Sequence, residues 1–228
     1  MATATARRAR FNNLEFILGA VLTALIVLGV LFSDVLFPGG AAKVDLAARL
    51  TRPFTSLAHP FGTDPLGRDV LARVLAGGKV SLLVGVVSVI GAVILGTVLG
   101  LVAGYYRGFW DMLLMRFADI QLAMPFILLA MTFVAIVGPS LTNTIFLLII
   151  SEWVKYARLV RGQVLSLRER EFILSAKAIG VSNFRIIFQH LLPNLLGPVI
   201  VLMTLNVANN ILLESSLTFL GLGIDPTT

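Results

Sequence analysis

The sequence has no cysteine. That excludes a disulfide framework, thiolate metal sites and a Cys nucleophile. It is also poor in charge. Only 13% of its 228 residues are Asp, Glu, Lys or Arg, about half the ~25% of a soluble domain. The two histidines, His59 and His190, lie far apart, so no metal site is expected. No G-x-x-x-x-G-K-[ST] loop occurs: Gly78-Lys79 is followed by Val80, so nucleotide chemistry in this chain is not expected. No Ser-His-Asp set or carboxylate pair is placed for catalysis, and no catalytic residue is assigned. What is abundant is apolar surface. The chain is 57% hydrophobic with a mean hydropathy of +0.95. An ordinary soluble domain and a disordered chain are both excluded. The net charge of +6 fits basic inside loops of a membrane protein better than nucleic acid, because the basic residues lie between long apolar runs.

A helix needs ~20 apolar residues to cross the ~30 Å hydrocarbon core. Phe16 to Phe32 is free of charge and follows Arg7, Arg8 and Arg10. It is longer than the ~7–15-residue apolar region of a signal peptide, and reads as an uncleaved first span. Val80 to Tyr106 is the second. Ala92, Gly96, Gly100 and Gly104 repeat there every four residues, which makes a face a neighbouring helix can approach closely. Ile120 to Ser151 carries no charge but would be ~48 Å long as one helix. Gly138-Pro139 divides it into two antiparallel spans, with Pro125 early in the first. The second must continue through Glu152, Trp153, Val154 and Lys155, with Glu152 and Lys155 paired on one face. A re-entrant loop is the alternative for that segment. Leu195 to Leu213 is the fifth, with Pro198 in its first turn. With the N-terminus inside, twelve of the 18 Lys and Arg face the cytoplasm, in keeping with the positive-inside rule.

Two loops carry information. Trp153 to Gln189 is basic and amphipathic. It reads either as a linker lying on anionic lipid or as two short helices, bent at Gly180, that dock into another protein. In the outer loop, Asp64-Pro65 and Gly67 are turn chemistry. Asp69 is placed to cap a short amphipathic helix, Val70 to Ala76, that Gly77-Gly78 ends.

Five segments in order resemble one family. They are His59 to Leu82; Ala103 to Gly108 with Asp111, Met115-Arg116 and Asp119-Ile120; Pro125 with Gly138-Pro139-Ser140; Glu171 to Asn194; and Glu214 to Gly223. They look like the inner-membrane permease subunits of binding-protein-dependent ABC importers, in the dipeptide, oligopeptide and nickel group, on the C-type side. The resemblance implies an all-α polytopic transmembrane bundle of the type I importer kind, in a bacterial inner membrane, with a cytoplasmic N-terminus. It divides the chain into a tail and first span (1–33), a periplasmic loop with a short helix (34–79) and a core permease domain (80–228) with a cytoplasmic coupling loop at 153–194. It also implies a sixth span after Gly223-Ile224-Asp225-Pro226, so that this chain would be a truncated one or a fragment.

By the same resemblance the coupling loop seats in a cytoplasmic ATPase. The family carries Glu-Ala-Ala, three residues, then Gly. Here the Gly is Gly180 and the second Ala is Ala176, while Leu174 and Ser175 stand at the Glu and first Ala positions. Glu171, Ser175, Ala176, Ala178, Gly180, Phe184, Arg185 and Pro193 are the expected coupling residues. Gly62, Thr63, Asp64, Gly67, Arg68 and Asp69 form the periplasmic motif. On the fifth span Asn206, Asn210 and Glu214 are four apart, with Asn209 adjacent. This polar stripe reads as a translocation path or as interhelical hydrogen bonding. The implied partners are a second homologous permease, two ATPase subunits, an extracytoplasmic substrate-binding protein and membrane lipid, with no nucleic acid. The chain itself would bind no cofactor, ATP and Mg residing on the ATPases. Peptides are the implied cargo, with nickel or another small solute as the alternative. A stand-alone secondary transporter or channel is the rival from another class, and it would need ionisable groups deep in its spans.

Overall fold

The computed structural model describes residues 13–223. The basic tail with Arg7, Arg8 and Arg10, and the Ile224-Asp225-Pro226 segment, lie outside the described residues. The chain divides into two compact units, Met1–Val80 and Ser81–Thr228. Among the described residues the regular structure is helical, with one isolated bridge, Thr63 to Asp69.

In the first unit, α1 (Asn13–Leu31) and the short α2 (Ser33–Leu36) precede an irregular loop. The apolar side chains of α1 are mostly exposed, the surface a helix presents to hydrocarbon. Its C-terminal end meets the start of α3 (Val70–Tyr106). There Val30 and Ala72 are buried, a Cβ on Gly78 would lie 2.9 Å from Val30 Cγ2, and Lys79 pairs with Asp34 at 2.6 Å.

The loop is tied by its own polar groups. Thr63 is buried; its hydroxyl donates to the Ala48 carbonyl and accepts from Thr51 N. Asp64 Oδ1 accepts from Leu66 N and Arg68 N, while Oδ2 accepts from Arg68 Nε and Arg73 NH1. Gly67 takes φ +74°, and a side chain there would run into the Asp45 backbone. Asp69 Oδ1 accepts from Ala72 N, which caps α3 as the sequence suggests. Its other oxygen lies 2.8 Å from His59 Nδ1.

The expected stop at Gly77-Gly78 does not occur, because α3 continues to Tyr106. Each helical glycine costs about 1 kcal/mol, but the apolar run that follows carries the helix through.

The second unit adds α4 (Gly108–Ala123), α5 (Phe126–Val137), α6 (Leu141–Leu167), α7 (Glu171–Ala178), α8 (Asn183–Arg185) and α9 (Leu192–Phe219); the main core lies among α3, α6, α7 and α9, with smaller clusters where α4 and α5 meet α6. The small-residue stripe of α3 is where α6 sits. Cβ atoms on Gly96, Gly100 and Gly104 would lie 2.6 Å from Tyr156 Cβ, 2.6 Å from the Ala157 carbonyl oxygen and 2.8 Å from Val164 Cβ. Two ion pairs bind α4 to α6: Arg161 is bidentate on Asp111 at 2.5 and 2.7 Å, and Arg158 reaches Asp119 at 2.5 Å.

Two expectations change here. The span expected from Ile120 is broken at its start: α4 ends at Ala123, α5 begins at Phe126, and the two are bent by 94°. Pro125 forces the preceding Met124 into an extended conformation (φ −89°, ψ 127°). Within 153–194, α6 continues to Leu167, and Asn183 opens one continuous helix that runs to Phe219. A π-helical turn, Ile186–Leu191, precedes Pro193, which stands in the first turn of α9, where a missing N–H is tolerated. Pro198 lies inside α9 rather than in its first turn.

By length and composition, α3 and Asn183–Phe219 are each long and apolar enough to cross a membrane, and the bent α4–α5 pair makes a third. The five spans read from the sequence exceed that measure at α1, whose apolar part is short, and at α6, which carries Glu152, Lys155, Arg158 and Arg161.

Candidate functional site: the α7–α8 loop and the polar seam of α9

The α7–α8 loop is built outward from buried anchors. Arg170, extended at φ −72° and ψ 145°, opens α7. Ile173 and Ala176, one turn apart, are buried in the core with Ile186 and Leu191. The helix closes in a Schellman arrangement: Val181 N donates to Ala176 O and Gly180 N to Lys177 O, both at 3.0 Å. Gly180 occupies the left-handed position at φ +79°, which glycine adopts without the Cβ penalty. Ser182 Oγ then accepts from Arg185 N at 3.5 Å and opens α8. The bend at Gly180 falls where the sequence suggests, with the short α7 before it; α8 is not a separate short helix but the start of the continuous Asn183–Phe219 helix.

The loop's outer face is apolar and exposed. Ile179 is 81% exposed and Phe184 70%, and Leu174, at the family's Glu position, also faces outward. Phe184 stacks on Phe188 with centroids 4.4 Å apart. Glu171, Ser175, Ala178, Arg185 and Pro193 are exposed around them, while Ala176 alone of the eight is buried.

Residues outside the sequence-based assignment hold the loop to α3. Tyr105 donates its hydroxyl proton to Asn183 Oδ1 at 2.7 Å. Lys177 Nζ lies 5.2 Å from the Tyr105 ring centroid. Arg168 NH1 donates to the Tyr105 carbonyl at 2.9 Å, which satisfies an end carbonyl of α3. The signal was present in the Gly104-Tyr105-Tyr106-Arg107 string, but no local pattern links it to residues some 60–80 positions on.

The polar stripe of α9 divides. Asn206, Asn210 and Glu214 are buried inside the second unit. Asn206 Nδ2 donates to Tyr156 Oη at 3.0 Å, and Asn210 Nδ2 to Ser88 Oγ at 2.9 Å. Glu214 accepts from Ser81 and Thr218, each at 2.9 Å. These three hold α9 against α6 and α3. Asn209 is exposed and lines a separate cavity with Glu152 and Lys155.

In the first unit, Gly62, Thr63, Asp64, Gly67, Arg68 and Asp69 come together in the turn cluster described above. Partial burial raises the Asp64 pKa. Hydrogen bonds from Arg68 N, the Arg68 guanidinium and Leu66 N outweigh that and hold it at about 2, against an ordinary 3.8. No group of three or more His, Asp or Glu placed to hold a metal ion occurs among the described residues.

Comparison with known proteins places the sequence in a family. Residues 96–228 match the family described as binding-protein-dependent transport system inner membrane component. The dipeptide transport system permease protein DppC of Alkalihalophilus pseudofirmus is 47% identical over 212 residues, covering 93% of this chain and 69% of the relative. The glutathione transport system permease protein GsiD of Escherichia coli O6:K15:H31 is 45% identical over 173 residues, covering 76% of this chain and 57% of the relative. GsiD of Shigella dysenteriae is 44% identical over the same length and the same shares. This chain thus spans little more than half the length of the GsiD relatives. With more than half of it inside the family match, the chain belongs to the inner-membrane components of binding-protein-dependent transport systems, among the ABC importer permeases of the dipeptide and oligopeptide group.

Proposed function

We propose that this chain is a membrane permease that imports short peptides, forming the translocation pathway with a second, homologous permease. Two cytoplasmic ATPase subunits drive it, and a substrate-binding protein delivers cargo from outside. The observation that carries the reading is the α7–Gly180–α8 loop. Its inner residues are locked into the core, and its outer face presents Leu174, Ile179 and Phe184 with nothing of the second unit covering them. With the resemblance, which puts the ATPase-docking loop here, we read this face as a partner surface rather than a linker lying on anionic lipid. Because Asn183 of the loop and Arg168 just before it both bond Tyr105 at the end of α3, a push on the loop reaches a long apolar helix directly.

The mechanism is alternating access. ATP closes the ATPase pair, the α7–α8 loops follow, and the permease pair changes which side it opens to. The ATPase must therefore contact the loop differently in the two states. ATP and Mg are held by the ATPases. This chain contributes no catalytic residue and no cofactor site. The N-terminus and the loop face the cytoplasm, and the Gly62–Asp69 cluster faces the outside.

The peptide cargo rests on the dipeptide and glutathione permeases named above. Uptake in proteoliposomes holding the complete transporter tests it. Labelled alanyl-alanine should accumulate with ATP and binding protein, and not when either is omitted. Accumulation of nickel in place of the dipeptide would assign the cargo to the metal.

A further inference from the structure

The second unit has an ion pair that joins no two helices. Glu152 and Lys155 are both on α6, with Lys155 Nζ 2.6 Å from Glu152 Oε2 and 2.8 Å from Oε1. The Glu152 side chain is 6% exposed and that of Lys155 is 41% exposed. Other ion pairs of α6 tie it to α4 through Asp111 and Asp119. This one ties nothing, so helix packing does not account for it. Burial of the Glu152 carboxylate makes it costly. Buried ionisable groups of a membrane protein face a bundle interior or a water-filled cavity.

A cavity of about 270 Å³ lies beside the pair, lined by Gln121, Met124, Ser151, Glu152, Lys155 and Asn209 among others, close to the ~300 Å³ lower end of small-ligand sites. Gln121 fixes one wall: its Nε2 donates to the Ile150 and Ser151 carbonyls at 2.6 and 3.1 Å, and its Oε1 accepts from Trp153 Nε1 at 2.8 Å. Met124 belongs to the non-helical break before Pro125. Irregular backbone at membrane depth is tolerated where it is enclosed by protein or lines a wet cavity. The break and the ion pair thus point independently to the same space.

We propose that this cavity is a cargo-contact site for a zwitterionic peptide, with Glu152 receiving the ammonium terminus and Lys155 the terminal carboxylate. In the empty state the two side chains neutralise each other. A peptide with both termini free replaces that pair by two new ones, so no charge is left unpaired at depth during the exchange. A solute with a single charge leaves one partner unpaired and is disfavoured. The site rests on the permease reading above and specifies what the pathway recognises.

The test uses the complete transporter, in which this chain carries no native cysteine. Asn209→Cys and Lys155→Cys are introduced singly. Small water-soluble methanethiosulfonates, one cationic and one anionic, are applied in the nucleotide-free and ATP-bound states. Asn209→Cys leaves the ion pair intact and guards against a loss of folding in the other variant. Both thiols should react in at least one state, and in Asn209→Cys alanyl-alanine with binding protein should slow the reaction during turnover. In Lys155→Cys the cationic reagent should be favoured about tenfold relative to a free thiol in solution, and adding Glu152→Gln should remove that preference. If both thiols stay inert in both states in assembled complexes, while the unsubstituted transporter takes up dipeptide, the cavity is closed off by protein and the site is refuted while the permease reading stands. If dipeptide uptake is absent from the unsubstituted transporter, it is the permease reading that fails.

Discussion

Asn206 Nδ2 donates to the Tyr156 hydroxyl across 3.0 Å, and both side chains are buried where α9 crosses α6. One helical turn on, Asn210 makes the same kind of contact to Ser88 on α3. The polar seam is thus a set of cross-helix bonds. Asn206→Ala and Tyr156→Phe should each lower stability in detergent, and a double-mutant cycle should return a coupling of about 0.6 kcal/mol. A coupling of zero would mean that the two groups do not bond.

The approach of α6 to α3 depends on the glycines of α3 and not on every helical glycine. A Cβ on Gly100 would stand 2.6 Å from the Ala157 carbonyl oxygen, whereas Cβ atoms on Gly162 and Gly197 meet nothing within 4 Å. Gly100→Val should destabilise by about 1–3 kcal/mol or more. Gly162→Ala should be neutral or stabilising by about 0.5–1 kcal/mol. Thermal unfolding of the purified variants measures both.

The turn cluster of the first unit should respond to acid through Asp64. Its folded pKa of about 2 lies below the ordinary 3.8. A depressed pKa contributes stability that is complete above the unfolded value and is lost as pH falls toward the folded one. Amide exchange in residues 45–69 should therefore stay slow down to about pH 4 and, corrected for intrinsic rates, quicken between about 4 and 2. Asp64→Asn should remove this acid transition and exchange faster at neutral pH, having lost its ion pairs to Arg68 and Arg73.

The orientation is tested at Ser182, an exposed residue between α7 and α8. Ser182→Cys should be labelled by an impermeant thiol reagent in inverted vesicles and not in intact cells. Labelling from outside would place the loop, and with it the N-terminus, on the opposite side.

Some of this was legible from residue order. Asp69 as a cap, the close-packing face of Ala92 to Gly104 and the bend at Gly180 each follow from a local rule, and each is present. Helix ends were harder to read. Gly77-Gly78 looked like a stop, yet the apolar run that follows keeps α3 helical. Pro125 looked like an early helical residue, yet its restriction on Met124 breaks the span by 94°. The stripe of α9 had the right periodicity, but one residue decides between a seam and an opening. Asn210 is buried and bonded, while its neighbour Asn209 lines the cavity. The Tyr105 contacts to Asn183, Lys177 and Arg168 join distant positions, and no spacing rule reaches that far.

The central claim, that the α7–α8 loop carries the ATPase, is tested most directly at Gly180. A Cβ there meets nothing within 4 Å inside the chain, so Gly180→Asp strains the left-handed φ by about 1–2 kcal/mol without a clash. The substituted permease should still insert and pair with its partner permease. The measurement is the amount of ATPase retained per permease on purification, alongside ATP-dependent uptake of alanyl-alanine. Retention of ATPase should fall and uptake should be abolished. A Gly180→Asp transporter that keeps its full complement of ATPase and its full uptake would contradict the account.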